Sequence, residues 1–375
     1  MIEINYSKKE FINFLANQFP DLKKNVLELY ISENLISPFK MKQPMFLFNK
    51  IQTEIESYEN LKKTSYDKLT SSNNSILKKN VLLKNVCTSY DFHINENNEL
   101  KLIEINTNAA FLALGVMLNE FLNIQTPNNF NSENIVEMFK NEIKLENLNP
   151  KRIYILDSKP EQQRLFIEFL IYKYLFIKND LDATIVDISE ISKIKESSLV
   201  YNRYTDFYLE LNESSHLKNN YLNNQFQLSP SPKEYFLIAD KQRMLDWQKQ
   251  NLIPIPNSLL KIDRLTSENA ENIWKNRKNL FFKPSNSFGS KQVYKGASIS
   301  RRVFDEAIQN QLLAQEVCPA PEIEFKLNDK IEKFKYDIRC FVYDGKLQFC
   351  IARMFQGQTT NLQTYGGGFT PIEWV

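Results

Sequence analysis

The sequence predicts an α/β chain whose outer parts read as α+β. Three patterns carry this. Residues 1 to about 80 repeat apolar side chains at helical spacing, and strand-like and helix-like runs alternate between about 150 and 237. One stretch, 90–106, alternates in polarity like a hairpin. A length of 375 residues predicts two or three domains at roughly 100–200 residues each. With 42% hydrophobic and 25% charged residues the composition is that of a soluble globular chain.

In order along the chain, Lys8 to Phe19, Asp21 to Asn34 and Pro44 to Leu69 read as helices of a packing scaffold. Ser71-Ser72-Asn73-Asn74-Ser75 is a loop. Next comes the stretch Tyr90 to Asn106, read as a hairpin turning at Asn97-Asn98, because Asn tolerates positive φ. That turn sets Asp91 opposite Glu104 and puts Leu102, Glu104 and Asn106 on one face. Facing carboxylates repel. A divalent cation held by Asp91, Glu104 and the neutral oxygen of Asn106 is the simplest counterweight; a solvated hairpin with chance charges fits about as well. The small residues after Asn106, with Asn108 and Ala109 first, would let a substrate approach the backbone, or simply start an apolar helix.

Arg152 to Leu156, Ala183 to Val186 and Ser198 to Tyr201 read as strands, with a helix from Glu161 to Ile177 behind Pro160. Arg203 and Asp206 follow the strand that ends at Tyr201, where parallel sheets bind ligands. Arg203 suits a bidentate clamp on a substrate carboxylate; the alternative is a surface pair with Asp206. Ser229-Pro230-Ser231-Pro232 is a break, after which Ala239-Asp240-Lys241 opens a helix to Gln250. Asn279 to Lys283 is a strand feeding a small polar loop that contains Ser287, Gly289, Ser290 and Lys291, with a second strand at Gln292 to Lys295. Such a flap covers phosphates with backbone N–H groups and lysines. Ser300 to Gln309 reads as a helix and Leu312 to Val317 as a strand, and the stretches 335–342 and 346–353 follow.

Net charge is +2, which implies neither nucleic-acid binding nor an acidic partner, and no window has the roughly 18 apolar residues of a membrane span. The greasiest helix, Leu165 to Ile177, is interrupted by Glu168 and Lys173. Cys87, Cys318, Cys340 and Cys350 have neither metal nor disulfide spacing and suit the reducing cytoplasm. Of only 8 glycines, seven lie at or after Gly289, and Gly366-Gly367-Gly368 are consecutive. Glycine kept so sparingly marks positive φ or close approach to a ligand. His93 and His216 receive no role.

Taken together, these residues resemble the ATP-grasp superfamily of ADP-forming ligases. The run Gln315-Glu316-Val317, Asp337-Ile338-Arg339-Cys340-Phe341-Val342, Ala352-Arg353, Thr360-Asn361 and Gly366-Gly367 is similar to ribosomal-protein-modifying glutamate ligases. In those ligases a strand pair bearing Asp and then Glu-x-Asn follows that run. Here the matching Asp91 and Glu104-Ile105-Asn106 precede it, an order that resembles the circularly permuted eukaryotic-type glutathione synthetase. Tyr201-Asn202-Arg203 and Ala239-Asp240-Lys241 also stand where that family has a substrate arginine and an ATP lysine.

The resemblance implies two α+β lobes around a nucleotide cleft, a Rossmann-like substrate domain and an N-terminal helical segment, divided as 1–80, 81–148, 149–237 and 238–375. It implies ATP and Mg²⁺ as cofactors and an amide or peptide bond made from a small-molecule carboxylate and an amine, the latter an amino acid or peptide. Asp91, Glu104 and Asn106 would hold Mg²⁺. Lys241, Lys283, Ser287, Gly289, Ser290 and Lys291 would meet the phosphates. Gln315 and the backbone of Glu316 and Val317 would meet adenine, and Asp337 would orient the nucleotide. Arg339 and Arg353 would stabilise the transferring phosphoryl group. Arg203, Asn108, Ala109, Asn361, Gly366 and Gly367 would face the substrates.

Three departures weaken the implication of γ-glutamylcysteine and glycine as substrates and leave the nucleotide chemistry untouched. Thr88-Ser89-Tyr90 replaces an arginine, Ser287-Phe288-Gly289-Ser290 replaces an acidic triple-glycine loop, and Phe355 replaces a lysine. A regulatory ATP-binding module and a small-molecule kinase remain the rival readings. Asp337 and Arg339 also fit an ordinary cross-strand ion pair. Oligomeric state stays open, with a homodimer among the options.

Overall fold

The computed structural model describes residues 6–149, 151–285, 293–327, 330–358, 360–361 and 363–375. The first helix, Lys8–Gln18, starts at a reciprocal cap in which Ser7 receives the Glu10 amide and Glu10 returns to the Ser7 amide. The second, predicted over Asp21 to Asn34, is shorter, Lys24–Tyr30. The third, Met45–Thr70, buries Leu47, Ile51, Ile55, Tyr58 and Leu61 at helical spacing. Burying each such aliphatic side chain contributes about 1.5–3 kcal/mol.

The N-terminal segment is not purely helical, because Met41–Gln43 forms a strand (β1). Thr88–Ile94 (β2) and Leu100–Asn106 (β3) form the expected hairpin. Arg152–Asp157 (β4), Asp182–Asp187 (β5), Ser198–Asn202 (β6) and Phe226–Ser229 (β7) make a four-stranded, all-parallel sheet in the order β5-β4-β6-β7. The helix Phe166–Lys178 connects its first two strands in sequence, β4 and β5. Ile262–Arg264 (β8), Leu280–Lys283 (β9), Tyr294–Lys295 (β10) and Leu313–Glu316 (β11) make an antiparallel sheet in the order β10-β9-β11-β8.

The chain then returns to the first sheet as Glu322–Leu327 (β12), Lys330–Tyr343 (β13), Lys346–Phe355 (β14) and Gly368–Trp374 (β15). The completed seven-stranded sheet runs β1-β15-β14-β13-β2-β3, with β12 beside β13. β1 joins β15 in parallel, so segments more than 300 residues apart share one edge. Neither strand was foreseen: β1 is three residues long and β15 is preceded by glycines and interrupted by Pro371.

This sheet has two unlike faces. Tyr90, Phe92, Ile338, Cys340, Ala352 and Met354 point into a core shared with the Met45–Thr70 helix. Phe341, Phe349, Ile351 and Phe369 point the other way, into a core shared with the helix Leu112–Phe121 and the parallel sheet. On that second face, between its apolar residues and β3, lie the charged side chains.

Candidate active site

The pairing of β2 with both β3 and β13 draws one row of charge across the sheet. Glu104 lies opposite Asp91, and Asp91 opposite Arg339. Asp337 lies opposite Arg353 on the neighbouring pair, two residues along β13. The fully buried Asp91 carboxylate receives Arg339 Nε on Oδ1 (2.9 Å) and Arg339 Nη2 on Oδ2 (2.7 Å). Arg353 Nη2 reaches the same Oδ2 at 2.8 Å. Arg353 also forks onto Asp337, with Nε to Oδ1 at 2.7 Å and Nη2 to Oδ2 at 2.9 Å. Thr360 donates its hydroxyl to Asp337 Oδ2 (2.8 Å).

Burial works to raise the Asp91 carboxyl, but Arg339 and Arg353 outweigh it and hold it below the usual carboxylate range. Burial works to lower the Arg353 guanidinium, but Asp337 and Asp91 raise it above its ordinary value. The repulsion expected between Asp91 and Glu104 is thus offset by guanidinium groups. Both Asp91 oxygens are engaged by arginine, where a cation was expected.

The register came out as predicted by a different route. The turn is not the two residues Asn97-Asn98. Ile94 pairs with Leu100 across residues 95–99, closed by the Asn95 amide on the Glu99 carbonyl (2.9 Å) and by Asn98 at φ 57°. A bulge between the Phe92–Leu102 and Asp91–Glu104 pairs then restores the alignment. It also changes the phase of β3. Leu102 and Ile105 enter the core, so Leu102 does not share a face with Glu104 and Asn106 as expected. Asn106 directs its amide nitrogen to Asp91 Oδ2 and Glu104 Oε1, both at 3.4 Å.

The extra residue of the bulge is Ile103, and its carbonyl accepts the ammonium of Lys283 at 3.3 Å. Lys283 closes β9 and so brings the second sheet onto β3. Burial drives the Lys283 amine down to about 8 against the pull of Glu104, with Lys241 adding to the depression. Lys241 is buried at the start of the helix Gln242–Lys249, and its amide donates to the Ser285 carbonyl (3.3 Å). Ser287, Gly289, Ser290 and Lys291, the expected phosphate flap, lie outside the described residues.

The turn after β3 is gripped from three sides. Arg203 donates Nη1 to the carbonyls of Asn108 and Ala109, the latter at 2.9 Å. Arg339 Nη1 reaches the Ala110 carbonyl (3.4 Å). Glu168, inside the helix Phe166–Lys178, accepts the amides of Phe111 (2.7 Å) and Ala113 (3.1 Å). Phe111 sits at φ 84°, and the N–H groups at the head of the Leu112–Phe121 helix find an anion. Burial raises the Glu168 carboxyl, although Arg203 and the two amides oppose this. Sequence reasoning missed Glu168. The signal was a lone acid within the otherwise greasy FIEFLIYKYLFIK.

Several expectations need correction. Arg203 is neither a surface residue nor paired with Asp206: its guanidinium binds main-chain carbonyls, and Asp206 Oδ2 accepts the Leu211 amide (2.8 Å) and the Ser214 hydroxyl (2.6 Å). The amides of Glu316 and Val317, expected on adenine, donate to the carbonyls of Lys261 and Asn279, both at 2.8 Å. Gln315 is buried against Met244. Asn361 organises its own loop, donating to the Gln356 carbonyl (2.9 Å) and accepting from the Gln363 amide and the Thr364 hydroxyl.

The glycine run is close-packed, but against the chain's own backbone. Gly366 accepts the Ser37 hydroxyl at 3.0 Å. A Cβ on Gly367 would lie 2.7 Å from the Met354 carbonyl, and one on Gly368, at φ 107°, would lie 2.7 Å from the Asn34 carbonyl.

Asn108, expected near substrate, lines a cleft together with Thr107, Asn202, Tyr204, Phe207, Pro230, Ser231, Pro232 and Tyr235. Among the described residues no three His, Cys, Asp or Glu side chains gather to hold a metal ion by themselves. No described helix is long and apolar enough to cross a membrane.

No family model and no curated protein matches the chain. Solved structures do. A glutathione synthetase-like effector (GSS30) from Globodera pallida, in its apo form, aligns over 91% of this chain and 90% of its own, with a TM-score of 0.53 and 9% identity. The ATP-grasp ligase PsnB, complexed with the precursor peptide PsnA2 and AMPPNP, aligns over 60% of this chain and 89% of its own, with a TM-score of 0.32 and 11% identity. The mixed α/β architecture therefore shares the fold of that glutathione synthetase-like effector.

Proposed function

We propose that the chain is an ATP-dependent carboxylate–amine ligase releasing ADP and phosphate. The observation that carries this reading is the meeting of three distant stretches on one sheet face. Glu104 and Asn106 come from β3, Lys283 from β9, and Arg339 with Arg353 from β13 and β14. In the proposed reaction a substrate carboxylate oxygen attacks the γ-phosphorus, and the bond from that phosphorus to the ADP oxygen breaks. The amine nitrogen then attacks the acyl carbon of the acyl phosphate. The carbon–oxygen bond to phosphate breaks, phosphate leaves, and the nitrogen loses a proton.

Phosphoryl transfer needs positioning and neutralised charge more than covalent help. Arg339 and Arg353, already aligned by Asp91 and Asp337, would present N–H groups to the transferring phosphoryl oxygens. Lys283 and Lys241 would meet phosphate as point charges. A low-lying Lys283 amine suits this role, because an incoming phosphate restores its proton.

The oxygen donors fit Mg²⁺, which binds one or two carboxylates and completes its shell with water and phosphate. Glu104 would supply the carboxylate and Asn106 its amide oxygen, after the amide turns over. Asp91 then serves to align the arginines. The ion would neutralise the phosphates. The division at about 80, 148 and 237 belongs to the same proposal.

One observation favours the regulatory-module alternative: Asp91, Arg339, Arg353 and Asp337 already satisfy one another. Screening carboxylate and amine pairs for stimulated ADP release separates the two. Ligase activity predicts amine-dependent phosphate release, lowered about a hundredfold or more in Glu104→Gln. Normal turnover in that variant would remove the metal assignment. ATP binding without turnover for any pair would support the module.

A further inference from the structure

The parallel strands lie in the order β5-β4-β6-β7, so the chain steps from β4 to β5 on one side and then crosses to β6 on the other. The crevice at the carboxyl ends of β4 and β6 is therefore the switch point, where such sheets receive ligands. Two opposite charges stand at its lips. Asp157 is the last residue of β4, and Arg203 follows the last residue of β6.

Neither charge is used up by the other. Each feels the other's field, yet their direct bonds go elsewhere. Arg203 spends Nη1 on the carbonyls of Asn108 and Ala109, and its Nη2 bonds no described group. Asp157 takes the Ser158 amide on Oδ1 (2.7 Å), and its Oδ2 bonds no described group. Both open atoms keep contact with solvent, whereas Arg203 Nε is sealed from it. The rest of Asp157 is buried, leaving the residue 8% exposed.

The second acid at this edge is already committed. Asp187, the register partner of Asp157 on β5, accepts the amides of Lys159 (2.6 Å) and Ser189 (2.8 Å) and the Ser189 hydroxyl (2.6 Å). A divalent cation wants several oxygen ligands, and one open carboxylate oxygen does not supply them. An ammonium needs only that oxygen and makes a charge-assisted hydrogen bond to it. The open Nη2 of Arg203, across the crevice, suits a carboxylate oxygen of the same ligand.

Holding this acid costs the fold. Burial pushes the Asp157 carboxyl up to about 6; Arg203 and the Ser158 amide oppose the rise and Asp187 adds to it. The Tyr204 hydroxyl, bonded to Glu213, feels the same charge from beyond β6. Acids perturbed in this way gather at functional sites, and a cation beside one restores its charged form.

We propose that Asp157 holds the ammonium of an amino-acid ligand at this crevice. An ammonium paired with a carboxylate is no nucleophile, so the amino acid held here is the carboxylate substrate and not the attacking amine. That substrate role rests on the ligase reading above; the binding does not.

Two arms test it on the full chain. In the first, ligand-observed NMR compares pooled free amino acids with the same pool N-acetylated. The free pool should bind at least about tenfold more tightly, and Asp157→Asn should erase the difference. Because the ammonium pairs with the ionised carboxyl, affinity for the free pool should climb about tenfold between about pH 5 and about pH 7, and stay level in the variant. A merely structural Asp157 would move neither readout. Equal binding of the two pools, no binding of the free pool, or an unchanged pH profile in the variant would overturn the proposal. In the second arm, ATP, Mg²⁺ and hydroxylamine are added to each pool. Hydroxylamine nitrogen attacks the acyl carbon of any acyl phosphate, phosphate leaves, and a hydroxamate is read. More hydroxamate from the free pool supports the proposal, and more from the acetylated pool refutes it while sparing the ligase reading. Binding of the free pool with neither hydroxamate nor ADP release from any pool would refute the ligase reading and leave the ammonium site standing.

Discussion

Asp91 and Asp157 are both buried beside arginine, yet their carboxyls move in opposite directions. Asp91 is held below the carboxylate range because Arg339 and Arg353 overcome its burial with three direct N–H contacts. Asp157, at the end of β4, is pushed up to about 6 by burial, with Arg203 opposing only in part. Arg203 gives its Nη1 to two carbonyls of the 108–109 turn, and Asp157 accepts the Ser158 amide (2.7 Å). Nearness to a guanidinium does not fix a carboxylate's charge; the direct hydrogen bond does. The sheet face keeps its arginines on ions. The parallel sheet keeps its arginine on neutral dipoles, where it works as a fastener.

The largest expected break comes from Asp91→Ala, which strands the Arg339 guanidinium and takes one contact from Arg353. It should lower unfolding free energy by about 3–5 kcal/mol, read from urea midpoints at neutral pH. Because the folded-state carboxyl is depressed, this stabilisation is present above its unfolded pKa and is lost as pH falls through the acid range.

Asp157→Asn should do the reverse. The folded state holds this proton more tightly than the unfolded state, so wild-type stability falls as pH rises from about 4 to about 6. The variant should lack that slope and be more stable at neutral pH, by something on the order of 3 kcal/mol. An unchanged slope would show that Asp157 is not the titrating group.

Arg203→Lys keeps the charge but loses the planar fork. It should cost about 1–2 kcal/mol and raise hydrogen exchange at the Phe111 and Ala113 amides. At Lys283 the effect should be of the same order as at Asp157. Its amine loses its proton first in the folded state, so stability should rise by something on the order of 3 kcal/mol between about pH 8 and pH 10.4. Modification by an amine-reactive reagent should climb through about pH 8 and be slowed by ATP. Climbing only near pH 10 would mean that the amine is solvated.

These two regions were unequally legible in the sequence. Alternation around Asn95 to Glu99 disclosed the hairpin and the facing pair Asp91–Glu104, because the side-chain period in a strand is strict. The bulge was invisible, since nothing in Leu100 to Asn106 marks which residue steps out of register. Glycine scarcity pointed correctly to unusual dihedrals at Gly366 and Gly368. It could not say that the neighbours are Asn34 and Met354 and not a ligand, because those contacts span long sequence separations. Arg203 was placed correctly at a strand end, but its partners come from another sheet's loop. Glu168 was read only as an interruption of a greasy helix, when a buried acid there had to be neutralised by something.

The single step of backbone at Ile103 decides which way β3 shows its charges. With it, Glu104 and Asn106 look toward Arg339 and Lys283 while Leu102 and Ile105 look toward Phe92. The same residues in an unbulged ladder would set Glu104 opposite Tyr90 and turn it into the core. The chemistry of this floor therefore depends on the register of one strand as much as on the kinds of residue in it.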